Sequence, residues 1–137
     1  MKNKHYIIAS IIVLIFMIFG YLGYNNLFPM AKPIQHLELE DISSIKISIN
    51  DDNQENIISN TDFTKAIAYF NDVKPTRIMS VNDYPAVRPY YRIEVLTNER
   101  RFVYYIYEEN NSVYVELPYE GIYVINSKIL KVIANWI

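Results

Sequence analysis

The chain of 137 residues has no cysteine, only three glycines, and no acidic residue before Glu38. Without cysteine it cannot form a disulfide, a zinc–cysteine site, an iron–sulfur cluster or a thiol nucleophile. Of its two histidines only His36 lies beyond the apolar N-terminal segment, which argues against a serine triad and a two-histidine metal site. GxSxG, HExxH and P-loop motifs are also missing. We therefore expect a protein that is not an enzyme and that holds no metal or cofactor.

Residues 6–24 form a run of nineteen residues without a charged side chain. As a helix, this run is about 28 Å long, close to the thickness of the hydrocarbon core of a bilayer. A secretory signal has a shorter apolar region followed by small residues at the cleavage site, whereas here only Ala31 follows, near Pro29. The run predicts an uncleaved transmembrane helix over 6–24, with a cleaved signal peptide as the alternative.

The charges that flank this run predict its orientation. Lys2 and Lys4 precede it, so the positive-inside rule places residues 1–5 in the cytoplasm and the rest of the chain outside. The remaining eleven basic and fifteen acidic residues give the outer part a formal charge of −4, which disfavours binding of nucleic acid and of anionic headgroups. The sequence thus predicts a single-pass cell-membrane protein with a linker at 25–35 and an extracellular domain at 36–137.

The apolar pattern of that domain predicts an α+β fold, a mainly antiparallel sheet with two helices, in the order β-β-α-β-β-β-α. Residues 43–50 alternate apolar and polar side chains, which is typical of a strand with one buried face. Residues 62–72 carry an apolar stripe at helical spacing, with Asn60 or Thr61 as the helix cap. A further short strand at 122–125 and a last helix follow the turn at Gly121.

Two turns predict the register of the three central strands. If residues 98–99 and 110–111 are two-residue turns, Val95 lies opposite Phe102 and Ile106 opposite Val115. This register collects apolar side chains on one face, which is the predicted core: Tyr91, Ile93, Val95, Phe102, Tyr104, Ile106, Val113, Val115 and Leu117. The other face then carries an aromatic strip bordered by charge. Its candidate binding residues are Tyr90, Arg92, Tyr105, Tyr107, Tyr114 and Glu116.

The tyrosines of this face have two interpretations. Tyrosine offers a large contact area with a polar tip and is common in interfaces, so the strip could be a binding surface. Tyrosine is also a good strand former, so the strip could reflect sheet propensity alone. Replacing Tyr105 and Tyr107 by serine separates the two, because loss of association at unchanged melting temperature indicates a surface and loss of stability indicates a core.

One polar segment resembles a calcium-binding loop. Asp51, Asn53, Glu55 and Asp62 fall at positions 1, 3, 5 and 12 of a twelve-residue window. Position 6 is Asn56 where the loop needs glycine, and a strand rather than a helix precedes the window. A solvated hairpin loop is therefore the favoured interpretation, and no metal site is predicted.

The segments 80–85 (SVNDYP) and 114–123 (YVELPYEGIY) resemble a family of small uncharacterised envelope proteins of low-GC Gram-positive bacteria. The likeness covers residues 42–134. It implies a single anchor followed by one domain of unknown function, and it brings no activity. Members are often anchored by a lipid on a cysteine, and this chain departs from that pattern. Physically, Pro118-Tyr119-Glu120-Gly121 predicts a strand end, a turn and an aromatic side chain available to pack on the last helix.

These observations favour a non-enzymatic, membrane-tethered extracellular module that binds another envelope protein or a wall component through the tyrosine face. The alternative is a regulatory or immunity-type protein that acts through its membrane helix on a neighbouring membrane protein.

Overall fold

The computed structural model describes residues 2–35, 37–50 and 54–137, without the side chains of residues 2–4. Met1, His36 and residues 51–53, which include Asp51 and Asn53 of the predicted hairpin loop, lie outside the described residues. The chain divides into two compact units, Met1–Met30 and Ala31–Ile137. Each unit is described by itself below.

The first unit is a single helix, α1 (Lys2–Leu27). Over His5–Leu27 it is long and apolar enough to cross a membrane by length and composition, and none of its most apolar window is buried. The helix is longer than the predicted 6–24 at both ends, because Lys2, Lys4, Asn25 and Asn26 continue the helical backbone without adding apolar surface.

The second unit is an α+β domain with one antiparallel sheet of seven strands. Its elements in chain order are β1 (Ile42–Ile49), β2 (Asn56–Ile58), α2 (Asn60–Asn71), β3 (Lys74–Pro75), β4 (Tyr90–Thr97), β5 (Arg101–Glu109), β6 (Ser112–Leu117), β7 (Gly121–Ile125) and α3 (Lys128–Ile133). The strands lie side by side in the order β2-β1-β4-β5-β6-β7-β3. The predicted fold class is confirmed. The predicted order β-β-α-β-β-β-α has two strands fewer than the structure: β7, which corresponds to the further short strand predicted at 122–125, and β3, which was not predicted. With only two residues, β3 is too short to show a period-two pattern, and its Pro75 is a residue that disfavours a strand prediction.

The predicted register of the central strands is confirmed. Val95 pairs with Phe102, and the next turn brings Ile106 opposite Val115. Asn110 and Asn111 have φ values of 50° and 61°, the left-handed backbone that a two-residue hairpin turn requires. Each face of the sheet therefore carries the residues that alternation predicted.

Helix α2 begins earlier than the sequence predicted. Ser59 is its N-cap, and the Ser59 Oγ accepts a hydrogen bond from the Asp62 backbone N–H at 3.1 Å. The predicted caps, Asn60 and Thr61, lie inside the first turn. Serine satisfies one of the unpaired N–H groups at a helix start as well as asparagine does, so the competing caps were not separable by residue type.

The main core lies between the sheet and the two helices of this unit. Phe63 and Phe70 of α2 and Ile129 of α3 are at most 2% exposed and pack over the apolar face of the strands. The Phe70 ring lies 5.0 Å from the ring of Tyr104 on β5. Burial of this face accounts for the alternation that the sequence displays.

Residues that the sequence assigned to a linker pack on this unit. The Ala31 backbone N–H donates to the Thr76 carbonyl at 2.9 Å, and the Tyr123 hydroxyl donates to the Lys32 carbonyl at 2.7 Å. Leu37, a few residues further on, is buried in the core. From Ala31 onward, the chain belongs to the α+β domain.

Replacing Tyr104 by phenylalanine should stabilise the domain. The Tyr104 hydroxyl is buried and has no hydrogen-bond partner among the described residues. A buried unpaired hydroxyl costs about 1–3 kcal/mol, so we expect Tyr104→Phe to raise the free energy of unfolding by about 1 kcal/mol and the melting temperature by about 5 °C. Thermal melts of the full chain in detergent measure this. The matched variant Tyr123→Phe loses its bond to Lys32 and should melt lower. A lower melting temperature for Tyr104→Phe would contradict the unpaired hydroxyl.

Candidate functional site

The face of the sheet opposite the core is crossed by a long connection between β3 and β4, residues 76–89, called the strap here. The side chain of Val87 packs on a cluster of Tyr90, Tyr105 and Tyr107. The Ser80 Oγ donates a hydrogen bond to the Glu116 Oε1 at 2.7 Å, and both residues are buried. The strap thereby converts part of a solvent face into a second, smaller core.

All six residues predicted as a binding surface lie together on this face, as the register requires. Four of them are covered, with exposed fractions of 0% for Tyr90, 6% for Tyr105, 5% for Tyr107 and 4% for Glu116. Arg92 and Tyr114 are half-buried. Among the six predicted residues, direct contact with a partner is therefore limited to the two half-buried side chains as long as the strap is in place.

The covered rings pack in geometries that stabilise aromatic pairs. Tyr90 and Tyr105 meet edge to face at 5.4 Å, and Tyr107 and Tyr114 stack at 5.7 Å. Burial, and then the negative charge of Glu116, raise the pKa of Tyr107 above its ordinary value. Tyr107 thus acts as a packed ring whose hydroxyl is hydrogen-bonded to Glu116.

The part of this face towards β2 carries a chain of ion pairs. Glu94 contacts the guanidinium groups of Arg92 at 2.6 Å and Arg101 at 2.5 Å, and Glu55 contacts Lys46 at 2.8 Å. The hydrogen bond from Lys46 holds the pKa of Glu55 below its ordinary range. Because the positive and negative side chains are paired with one another, this part of the sheet surface does not form a patch of one charge sign.

The outer side of the strap carries several large apolar side chains beside the exposed polar residues Asn82, Asp83 and Arg88. Its exposed hydrophobic residues, together with Tyr119 from the turn beside it, are called the strap patch: Ile78 at 53%, Met79 at 66%, Val81 at 65%, Tyr84 at 51% and Tyr119 at 66% exposed. Exposed apolar side chains concentrated in one short segment are typical of an interaction surface, whereas scattered ones need no explanation.

Tyr119 is held in an unusual conformation at the margin of this patch. Its φ is 62°, a left-handed backbone that is rare for a bulky residue, and such strained residues cluster at functional sites. Its hydroxyl donates to the Asp83 Oδ1 at 2.7 Å, which raises the pKa of Tyr119. The predicted packing of this aromatic on the last helix is wrong, because Tyr119 lies exposed beside the strap instead.

The strap patch was missed by sequence reasoning, which used residues 80–85 only as a segment that resembles a known family. A signal was present, since Ile78, Met79 and Val81 are large apolar residues in a segment with no period of two or 3.6. Among the described residues, no group of three or more histidine, aspartate or glutamate side chains is placed to hold a metal ion.

The α+β domain is similar to a known protein family and to a solved structure. Residues 30–124 match DUF5301, described as a domain of unknown function (DUF5300), and the chain belongs to this family. An NMR structure of a protein from Ruminococcus gnavus is similar, with a TM-score of 0.55 and 31% identity over 68% of this chain and 90% of that protein. Among curated proteins none matches. The family match includes the strap and begins at residue 30, twelve residues before the resemblance noted from the sequence.

Proposed function

We propose that this chain is a non-enzymatic binding module of a bacterial cell envelope, tethered by residues 6–24 and displaying its α+β domain outside the membrane. The tether is supported by the length and apolar surface of α1 and by the lysines at its N-terminal end. The observation that carries the binding role is the strap patch, an apolar surface held over a second core by the Ser80–Glu116 bond.

The chemistry of the outer half of this patch, Val81, Tyr84 and Tyr119, favours a protein partner. Tyrosines supply much of the contact energy in protein interfaces and lose little conformational entropy on binding. Sugar rings stack on aromatic faces and gain little from a branched aliphatic side chain such as that of Val81. We therefore assign this surface to another envelope protein, with a wall component as the competing ligand.

Photo-crosslinking in intact cells tests this assignment. A reactive residue at position 84 should give one discrete heavier band, and the same residue at position 57 should give none. Ile57 is a matched control because it is 81% exposed and lies on β2, at the far edge of the sheet. The exposed change Val81→Ser should reduce the band several-fold without lowering the melting temperature.

Three results would count against a protein partner at the strap. Bands of equal strength from positions 57 and 84 would show unspecific capture, and the absence of a band from 84 would show that the surface is unoccupied. A band that disappears after digestion of the wall with a muramidase would show that the ligand is wall material.

The second candidate function, regulation of a neighbouring membrane protein through the helix, is supported by one observation. The most apolar window of α1 is entirely uncovered, so its whole surface is open to lipid or to another helix. Replacing residues 6–24 with an unrelated spanning helix separates the two candidates. Binding through the strap survives this replacement, whereas regulation through the helix does not.

A further inference from the structure

The start of the strap lies beside the residue at which the chain joins the α+β domain. The Thr76 carbonyl accepts a hydrogen bond from the Ala31 N–H at 2.9 Å. Two residues further along, the Ile78 carbonyl accepts a hydrogen bond from the Ile122 N–H at 3.3 Å. Ala31 also lies close to the first residue of β7, because an ideal Cβ on Gly121 would be only 2.5 Å from the Ala31 Cβ. Ala31, Thr76 and Ile78 thus share one margin of the domain, next to β3 and β7.

This margin carries both apolar and basic side chains at its surface. Ile78 and Met79 are more than half exposed. Lys32, directly after Ala31, and Lys74, two residues before Thr76, are exposed as well. Apolar side chains flanked by lysines are the combination that partitions into the interface of an anionic bilayer, where lysine stems extend towards the headgroups. Ile78, Met79, Lys32 and Lys74 are called the anchor-proximal edge.

Chain length limits how far this edge can lie from the end of α1. Ala31 follows Leu27, the last residue of α1, by four residues, which reach at most about 14 Å when fully extended. Two of the residues after Leu27, Phe28 and Met30, are themselves apolar and more than half exposed. A tether this short keeps the point at which the chain joins the domain close to the surface in which the helix is embedded.

We propose that the anchor-proximal edge rests on the outer surface of the bilayer, with Ile78 and Met79 inserted at the headgroup boundary and Lys32 and Lys74 facing anionic headgroups. This inference rests on the proposed anchoring of residues 6–24. The formal charge of −4 disfavours contact of the whole domain with an anionic membrane, so the contact is confined to this edge. Val81, Tyr84 and Tyr119 then remain available to a partner.

The absence of cysteine makes a direct test possible, because any single introduced cysteine is the sole labelling site. The full chain is reconstituted in vesicles of phosphatidylcholine and phosphatidylglycerol that contain nitroxide-labelled lipid. A fluorophore is placed in turn at Met79→Cys, at Ile57→Cys as a control that is exposed at least as much and lies on the opposite edge, and at Phe16→Cys within α1. We expect quenching at position 79 to exceed that at position 57 by about threefold or more.

The three positions separate failure of this inference from failure of the anchor. Strong quenching at 16 with equal, weak quenching at 79 and 57 would overturn the contact of the edge with the bilayer and leave the anchor intact. Weak quenching at 16 would overturn the anchor and this inference with it. Since all three side chains are exposed, unchanged melting of the domain confirms that each labelled chain is folded.

Discussion

The double replacement of Tyr105 and Tyr107 by serine is expected to unfold the α+β domain. Each ring is at most 6% exposed and packs in the second core beneath the strap. Removing one large buried aromatic side chain costs about 3–5 kcal/mol, and the two losses together approach the whole stability of a typical domain, about 5–15 kcal/mol. In thermal melts of the full chain in detergent, the cooperative transition of the domain should therefore be lost or lie far below that of the unmodified chain.

The control for this experiment is Tyr84→Ser. Tyr84 lies on the outer side of the strap and is half exposed, so its replacement should change the melting temperature by only a few degrees. A double variant that melts like the unmodified chain would contradict the buried second core. It would restore the interpretation of the tyrosine face as an open binding surface, with Tyr105 and Tyr107 in contact with the partner.

Gly121→Ala is expected to destabilise the domain by about 2 kcal/mol, or about 10 °C in melting temperature. The added Cβ would lie 2.5 Å from the Ala31 Cβ, a distance that forces one backbone segment to move. Movement of Ala31 would strain its hydrogen bond to Thr76 and the neighbouring bond from Tyr123 to Lys32. The effect has a steric part, which depends on the packing of residue 31 against β7, and a backbone part, because the φ of 159° at Gly121 is one that residues with a side chain rarely adopt.

A second substitution tests that cause. Ala31→Gly removes the methyl group that the new Cβ meets, and the next contacts, at 3.5 and 3.6 Å, are ordinary van der Waals distances. In the Ala31→Gly background, Gly121→Ala should therefore lower the melting temperature much less than it does in the unmodified chain, and the remaining loss reflects the backbone conformation of residue 121. If Gly121→Ala is equally destabilising in both backgrounds, residue 31 is not the obstacle, and the start of the α+β domain does not pack on β7.

The register of the sheet was predictable because it depends on local chemistry. The asparagine pair at 110–111 accommodates the left-handed turn, and the period of two along β4, β5 and β6 assigns each side chain to a face once that turn is set. The same rule placed Tyr90, Arg92, Tyr105, Tyr107, Tyr114 and Glu116 together, and the pairing across β4, β5 and β6 confirms it.

Exposure was not predictable in the same way. Whether a sheet face is open depends on a connection that packs on it from elsewhere in the chain, here the strap at 76–89, and that segment has no periodicity to reveal where it lies. The exposed side chains of the strap itself, such as Met79 and Tyr84, are candidate contacts because the folded domain leaves them at its surface. Burial is a property of two segments together, so neither segment alone specifies it.

By itself the sequence determined the apolar helix, the α+β class and the pairing of the central strands, because each follows from the composition or period of a continuous stretch. Tertiary structure decided where the domain begins, since Ala31 is held by Thr76, far along the chain. It also decided which face meets solvent, because the Ser80–Glu116 bond joins residues 36 positions apart. Contacts between such distant residues depend on three-dimensional packing, so they cannot be predicted from a local pattern of residues.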